Sequence, residues 1–295
     1  MRGLSLCSGY GGIEMGLHIT FGETYETIAY CEREEHPASI LKARMEDGSF
    51  PEVPIHPNME TFPCEEYAGQ IDIICAGIPC QPYSIAGARK GNEDERALWP
   101  IFADIVQRVQ PKAILLENVP AFLTHAEGIY NELRELGFNW YPPCFTNATF
   151  WGAPHRRKRV FLLAEHQDHV GYLQKNLLFN RGDASGNSPN PNCDGHRTSQ
   201  EPNGRRVRSA CGSVGAVWIA NPENRTIRPQ HQDAGYWDGQ SPVCGVDDGS
   251  PARLEQLKLL GNGVVPIMVA GAISKLIRDG FVEPTEEFEQ SRLFE

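Results

Sequence analysis

The chain has 295 residues, 22% of them charged and 40% hydrophobic, with a formal net charge of −11 at pH 7. That length suits one large or two small domains with a real core, and no run approaches the roughly 18 apolar residues that cross a membrane. The acidic balance argues against a surface that is basic throughout, because phosphate contacts need Lys and Arg. Nine cysteines without a Cys-x-x-Cys pair indicate neither a disulfide frame nor a zinc cluster, and no metal is expected. The stretch Met1–Gly9 is too short in apolar residues before its glycines to read as a signal peptide, so a soluble cytoplasmic protein is expected.

Short apolar runs alternate with helical patterns over residues 2–164. Leu4–Cys7 runs into Ser8-Gly9-Tyr10-Gly11-Gly12. Thr27–Cys31 stops at Glu32, Ile71–Ala76 at Gly77, and Lys112–Leu116 at Glu117-Asn118; Arg159–Ala164 is a fifth run. Helices are expected near 12–20, 36–46, 97–109 and 127–136. Strands separated by helices predict repeated βα units around a mostly parallel sheet, with ligands at the carboxyl ends of its strands. The pattern breaks after about 165. Residues 180–216 are rich in Asn, Gly, Ser, Pro and Arg, so 165–251 reads as a small irregular lobe. Helical periodicity resumes near 253–260 and over 264–278, returning residues 252–280 to the first domain. Residues 281–295 read as an acidic tail. Arg156-Arg157-Lys158-Arg159 and Arg197, Arg205, Arg206 and Arg208 concentrate positive charge. Each cluster is either a solvated face or a phosphate-contacting surface.

Three segments carry chemistry. The glycine-rich turn Ser8–Gly12 brings backbone amides to a helix start, where a nucleotide-like ligand is held, although it does not match Gly-x-Gly-x-x-Gly. Glu32, ending the second strand, stands where an acid grips a ribose hydroxyl pair. Cys80 lies between prolines in Gly77-Ile78-Pro79-Cys80-Gln81-Pro82-Tyr83-Ser84, a backbone pose that presents a thiolate nucleophile. Glu117 closes an apolar strand, where partial desolvation raises a carboxyl pKa and suits it to donate a proton.

In their order along the chain these segments resemble the DNA (cytosine-5) methyltransferases. The turn Ser8–Gly12 is similar to that family's cofactor loop, Pro79-Cys80-Gln81 to its nucleophile motif and Glu117-Asn118-Val119 to its acid motif. Gly152–Phe161 is similar to its Gln-x-Arg-x-Arg segment, with His155 in place of Gln. Gly261-Asn262-Gly263-Val264-Val265-Pro266 is similar to its late Gly-Asn-x-Val-x-Pro segment. The resemblance implies an α/β fold built on a Rossmann-like, mostly parallel seven-stranded sheet, with a small irregular target-recognition lobe at 165–251. It implies S-adenosylmethionine as cofactor, held by Cys7, Ser8, Gly9, Tyr10, Gly11, Gly12, Glu32, Asn58, Met59, Gly77, Pro79, Asn262 and Val264. It implies methyl transfer to carbon 5 of a cytosine flipped out of double-stranded DNA. In that reaction Cys80 attacks carbon 6, Glu117 steadies the ring, Arg159 contacts the base carbonyl and Arg157 supports the acid motif.

DNA contacts are expected from Gln81, Ser84, Arg96, Arg205, Arg206 and Arg208. The compact form is similar to phage and prophage members, which implies a monomer in the cytoplasm of a bacterial or phage-infected cell. Ser5, Cys7 and Asn58-Met59 depart from the family's Asp, Phe and Asp-aliphatic pattern at the cofactor. Two other readings remain. A transfer-RNA cytosine methyltransferase is disfavoured because Ile78 precedes Pro79 and because Cys144-Phe145-Thr146 reads as strand. A non-catalytic DNA-binding relative is disfavoured by the intact Cys80, Glu117, Arg157 and Arg159. A cysteine hydrolase would need a His placed as base, and the nine His residues are scattered.

Overall fold

The computed structural model describes residues 1–79, 98–151, 156–182 and 263–280. Its sheet is built from β1 (Arg2–Leu6), β2 (Glu26–Cys31), β3 (Ile55–His56), β4 (Ile73–Ala76), β5 (Ala113–Asn118), β6 (Phe138–Trp140), β7 (Cys144–Asn147) and β8 (Lys158–His166). The order is β3-β2-β1-β4-β5-β8-β6, with β7 also paired to β8. The first five strands are mutually parallel.

Two points differ from the sequence expectation. Eight segments replace the seven strands expected, yet they fill seven positions. β6 pairs with the carboxyl half of β8 (Phe138 opposite His166) and β7 with its amino half (Cys144 opposite Phe161). They are halves of one edge line, broken at Pro142-Pro143, which have no N–H for the ladder. The run at 159–164, read as the fifth in a series of βα units, lies in β8 and is antiparallel to β5, the minority direction in the mostly parallel sheet expected. Ten residues, among them the short 3-10 turn Ala148–Trp151, separate β7 from β8, so the chain doubles back without the long crossover a parallel neighbour requires.

The inner strands are apolar on both faces, as a covered sheet demands. In β4, Ile74 and Ala76 face one core while Ile73 and Cys75 face the other; in β5, Ile114 and Leu116 alternate with Ala113 and Leu115 in the same way. The first core is closed by Phe102, Ile105, Val106 and Val109 of the helix Leu98–Val109 and by Ile129 and Leu133 of the helix Ala126–Glu135. The second is closed by α1 (Gly12–Phe21), by α6 (Tyr172–Gly182; the helices Glu35–Glu46, Cys64–Tyr67, Leu98–Val109 and Ala126–Glu135 are α2 to α5) and by α7 (Pro266–Asp279). Leu173 and Leu177 of α6 join this core, so it continues past the expected boundary at 164. The amphipathic pattern at 264–278 is α7. It lies so close to α1 that a Cβ on Gly16 would collide with the Val269 side chain. The rest of the expected lobe, the periodicity near 253–260 and the acidic tail lie outside the described residues.

Candidate functional site

The site sits at the carboxyl ends of β1, β2, β4 and β5. Beyond β1 the backbone turns sharply: Cys7 (φ 52°), Gly9 (φ 56°) and Gly11 (φ 84°) are all left-handed, a conformation easy for glycine and uncommon for cysteine. Gly11 is the residue before α1, so the turn delivers the chain to a helix start. Ser8 ties the turn to β2, its amide donating to the Cys31 carbonyl at 3.2 Å while its Oγ accepts from the Cys31 amide at 3.2 Å. Glu32, one residue past β2, accepts from the Gly9 amide (2.7 Å) with Oε2 and from the Glu34 amide (2.7 Å) with Oε1. Burial raises its pKa against those two hydrogen bonds. Asn58 accepts from the Glu60 amide at 3.0 Å and opens a single helical turn that carries Met59. Met59 Sδ lies 3.5 Å from Cys7 Sγ. Two residues that depart from the family pattern thus meet in a contact between soft sulfurs.

Glu117 lies on β5 and is 7% exposed. Arg159 Nε, from the neighbouring β8, forms an ion pair with its Oε1 at 2.7 Å. Burial pushes the carboxyl's pKa up, and Arg159 and Arg157 only partly offset that. Arg157 is half-buried beside Arg159, Glu117 and Tyr10. Its pKa is depressed to about 10, chiefly by burial and by the Arg159 charge. The basic run therefore divides by strand alternation: Arg156 and Lys158 are exposed, whereas Arg157 and Arg159 turn inward. The resemblance gives the acid to Arg157 and the base carbonyl to Arg159; in the structure the ion pair at Glu117 is made by Arg159.

The backbone that leads to Cys80 passes this carboxyl. A Cβ on Gly77 would lie 3.5 Å from Glu117 Oε2, and Asn118 Nδ2 donates to the Ile78 carbonyl at 2.9 Å. Pro79 is exposed. On the other side Tyr10 lies over the start of the segment leading into α7, where a Cβ on Gly263 would collide with its ring and the Tyr10 hydroxyl is 3.5 Å from the Val264 carbonyl. Gly12 and Val264 are buried against each other.

Expected residues from seven segments distant in sequence, at 7–12, 32, 58–59, 77–79, 117, 157–159 and 264, thus share one sheet end. Cys80, Gln81, Ser84, Arg96, Arg205, Arg206, Arg208 and Asn262 lie outside the described residues. Sequence reasoning did not single out Asn147, whose Oδ1 accepts from the Arg157 amide at 2.9 Å and shapes the turn that carries the arginine pair. The available signal was an Asn at a strand end, a habitual acceptor for turn amides. It also passed over Glu14, whose place in the first turn of a helix reads as ordinary dipole matching.

The family model for C-5 cytosine-specific DNA methylases matches residues 1–194. The chain belongs to that family. It is 33% identical over 171 residues to the type II methyltransferase M.HpaII of Haemophilus parainfluenzae, covering 56% of this chain and 46% of the relative. It is 29% identical over 174 residues to M.HhaI of Haemophilus parahaemolyticus, covering 57% and 50%. The chain thus spans about half the length of the curated relatives it matches. Among solved structures, the S. pombe Dnmt2 methyltransferase gives a TM-score of 0.47 at 22% identity over 57% of this chain and 51% of that one.

The residues present fit the family's methyl donor, S-adenosylmethionine. Each Glu32 oxygen accepts one backbone N–H and keeps lone-pair capacity for a ribose hydroxyl. Nothing lies within 4 Å of where a Gly9 Cβ would stand, which leaves room beside the turn amides. Cys7 and Met59 offer a soft, apolar contact to a purine ring.

Proposed function

We propose that the chain transfers a methyl group from S-adenosylmethionine to carbon 5 of cytosine in duplex DNA. The observation that carries this reading is the buried Glu117, raised in pKa and bridged to Arg159, next to the backbone entering Pro79-Cys80. The turn Cys7–Gly12, Glu32, Asn58, Met59 and Val264 would hold the cofactor, with Gly77, Pro79 and Asn262 completing the pocket.

The reaction needs the ring made electron-rich at carbon 5. The Cys80 thiolate adds to carbon 6 of an extruded cytosine, and Glu117 as neutral acid gives its proton to ring nitrogen 3, so the electron pair displaced from the double bond is neutralised as it arrives. Bound beside it, S-adenosylmethionine would supply a sulfonium methyl as the electrophile for carbon 5, with the neutral thioether left as the S–CH3 bond breaks. A base then removes the carbon 5 proton, the double bond re-forms, Cys80 departs as thiolate and Glu117 recovers its proton. Arg159 holds the carboxyl in place and Arg157 adds positive charge beside it. A duplex base is unreachable while stacked, hence the extrusion.

Recognition of the flanking sequence is assigned to residues 165–251, with Arg205, Arg206 and Arg208 toward DNA and Gln81, Ser84 and Arg96 nearer the base. The protein is read as a cytoplasmic monomer of a bacterial or phage-infected cell. Among the described residues no helix is long and apolar enough to cross a membrane.

Incubation with S-adenosylmethionine and duplex DNA containing 5-fluorocytosine tests this, because fluorine cannot leave as the proton does and the cysteine stays bonded. A denaturant-stable adduct that disappears in Cys80→Ser is expected. An adduct formed on transfer RNA and not on duplex DNA would reassign the substrate, and no adduct on either would sink the enzymatic reading.

A further inference from the structure

Beneath the cofactor turn lies a buried acid that the reaction above does not use. Glu14, on the first turn of α1, is 3% exposed. Cys75 of β4 donates its S–H to Oε1 at 3.2 Å, and the Ser5 hydroxyl and the Glu14 amide are its other polar neighbours. Oε2 is buried without a hydrogen bond in that arrangement. Its titratable neighbours are Cys75, Tyr25 just before β2 and Tyr30 within it, none of them a cation. Ser5 Oγ is 2.8 Å from Ser8 Oγ, and Ser8 Oγ is 3.2 Å from the Cys31 carbonyl.

Two directions of donation are open to this chain of hydroxyls. With an ionised carboxylate, Ser5 must donate toward Glu14 and Ser8 toward Ser5, which leaves the Cys31 carbonyl without the Ser8 hydroxyl. With a protonated carboxyl, the Glu14 O–H donates to Ser5, Ser5 to Ser8 and Ser8 to the Cys31 carbonyl, while Ser8 still accepts from the Cys31 amide. The second arrangement keeps the Ser5-to-Ser8 donation and the Ser8 hydroxyl on the Cys31 carbonyl, and it leaves no charge on a carboxyl that is buried with no cation beside it.

We propose that Glu14 is a positioning residue for the cofactor turn, acting as a neutral acid whose proton sets the donor direction through Ser5 and Ser8 and thereby fixes Ser8–Gly9 against the strand end that carries Glu32. Burial raises its carboxyl above the usual carboxylate range, outweighing the neighbouring donors; the α1 start, which favours an anion, also opposes it. The inference rests on the reading of Ser8–Gly12 as the S-adenosylmethionine turn.

The sign of the pH effect follows. As pH rises past the ordinary carboxylate range the unfolded chain ionises this group before the folded protein does, so folding takes up a proton there and the group's contribution to stability falls until the folded group ionises too. Glu14→Gln keeps a neutral donor and removes the titration. Glu14→Ala removes the donor.

The full chain is titrated calorimetrically with S-adenosylmethionine from pH 6 to 9, and amide hydrogen exchange is followed in the unliganded protein. Glu14→Ala is expected to weaken binding about tenfold, the scale of one buried hydrogen bond. It should also speed exchange over residues 7–12 and leave turnover at saturating cofactor within about twofold. Glu14→Gln is expected to rescue binding and slow exchange, with a flatter pH dependence than the unaltered chain. Glu14→Ala binding as tightly as the unaltered chain, or Glu14→Gln behaving like Ala, overturns this inference alone. An unaltered chain that takes up no S-adenosylmethionine overturns the functional reading, and this inference with it.

Discussion

Glu117 and Glu165 lie on adjacent strands, one near each end of the β5–β8 ladder. Both are buried, at 7% and 0% exposure. What separates them is the use of their oxygens. Glu165 accepts from three neutral donors: the Leu173 amide at 2.7 Å, the Gly171 amide at 2.9 Å and the Tyr141 hydroxyl at 3.1 Å. The two amides belong to the start of α6, so the carboxylate caps a helix and locks it to the sheet. Glu117 has one ion pair to Arg159, a second arginine beside it and an oxygen turned toward Gly77 at the sheet's ligand end. Burial alone does not mark a catalytic acid. An acid whose donors are saturated by its own fold is structural, and one that keeps capacity toward an opening is equipped for chemistry.

The sharpest way to break that contrast is to neutralise each acid in turn. Glu117→Gln keeps the size of the side chain but has no acidic proton to give. It is expected to lower kcat/KM for methyl transfer by roughly 10²–10⁴-fold, the usual worth of general acid catalysis, with little change in melting temperature. On the proposed mechanism the acid acts while protonated, so its contribution should fade as pH rises through its raised pKa; a Glu117→Gln protein with full activity would sink its assigned role. Glu165→Leu should do the reverse. It strands two amides and a hydroxyl, and is expected to cost about 3 kcal/mol of stability, lowering the melting temperature by roughly 6–12 °C. Activity per folded molecule at low temperature should be unchanged. A Glu165→Leu protein that melted like the unaltered chain would show that helix capping there is dispensable.

The same contrast explains what the sequence made legible. Glu117 was readable because an acid ending a four-residue apolar run is out of keeping with a covered strand, and because β1, β2 and β4 each end on polar or glycine residues at the same level. Glu165 and Glu14 were not. Each follows apolar or glycine residues at a spacing compatible with an ordinary exposed position, and only the tertiary structure reveals the donors gathered around it. The helices near 12–20, 36–46, 97–109 and 127–136 were legible to within a residue or two, because apolar periodicity is local. The orientation of β8 was not, since it depends on how the chain returns after Pro142-Pro143. The inward turn of Arg157 and Arg159 was implicit in strand alternation once β8 was known to begin at Lys158.

A smaller effect is expected at the amino end of the sheet, where Asp72 links three strand starts. Its Oδ2 accepts from the Arg2 amide at 2.7 Å, Lys112 bonds its Oδ1 at 2.6 Å, and its own carbonyl accepts from the Ala113 amide at 2.9 Å. Burial alone would raise its pKa, but the Lys112 ammonium, the Arg2 amide and the Tyr172 hydroxyl together hold it below 3.8. A carboxyl depressed in the fold contributes stability above its unfolded pKa and loses it as pH falls through the folded value. Lys112 is 35% exposed, so solvent screening limits the pair and Asp72→Asn should cost about 1 kcal/mol at pH 7. The difference between the two proteins should shrink as pH falls through the lowered pKa of the folded carboxyl, as measured by urea unfolding across the acid range. Asp72→Asn leaves the carboxyl ends of the strands untouched, so methyl transfer should be unaffected. A loss of activity exceeding the loss of stability would mean that the two ends of the sheet are coupled, and that the division between its structural and chemical ends is less complete than Glu117 and Glu165 suggest.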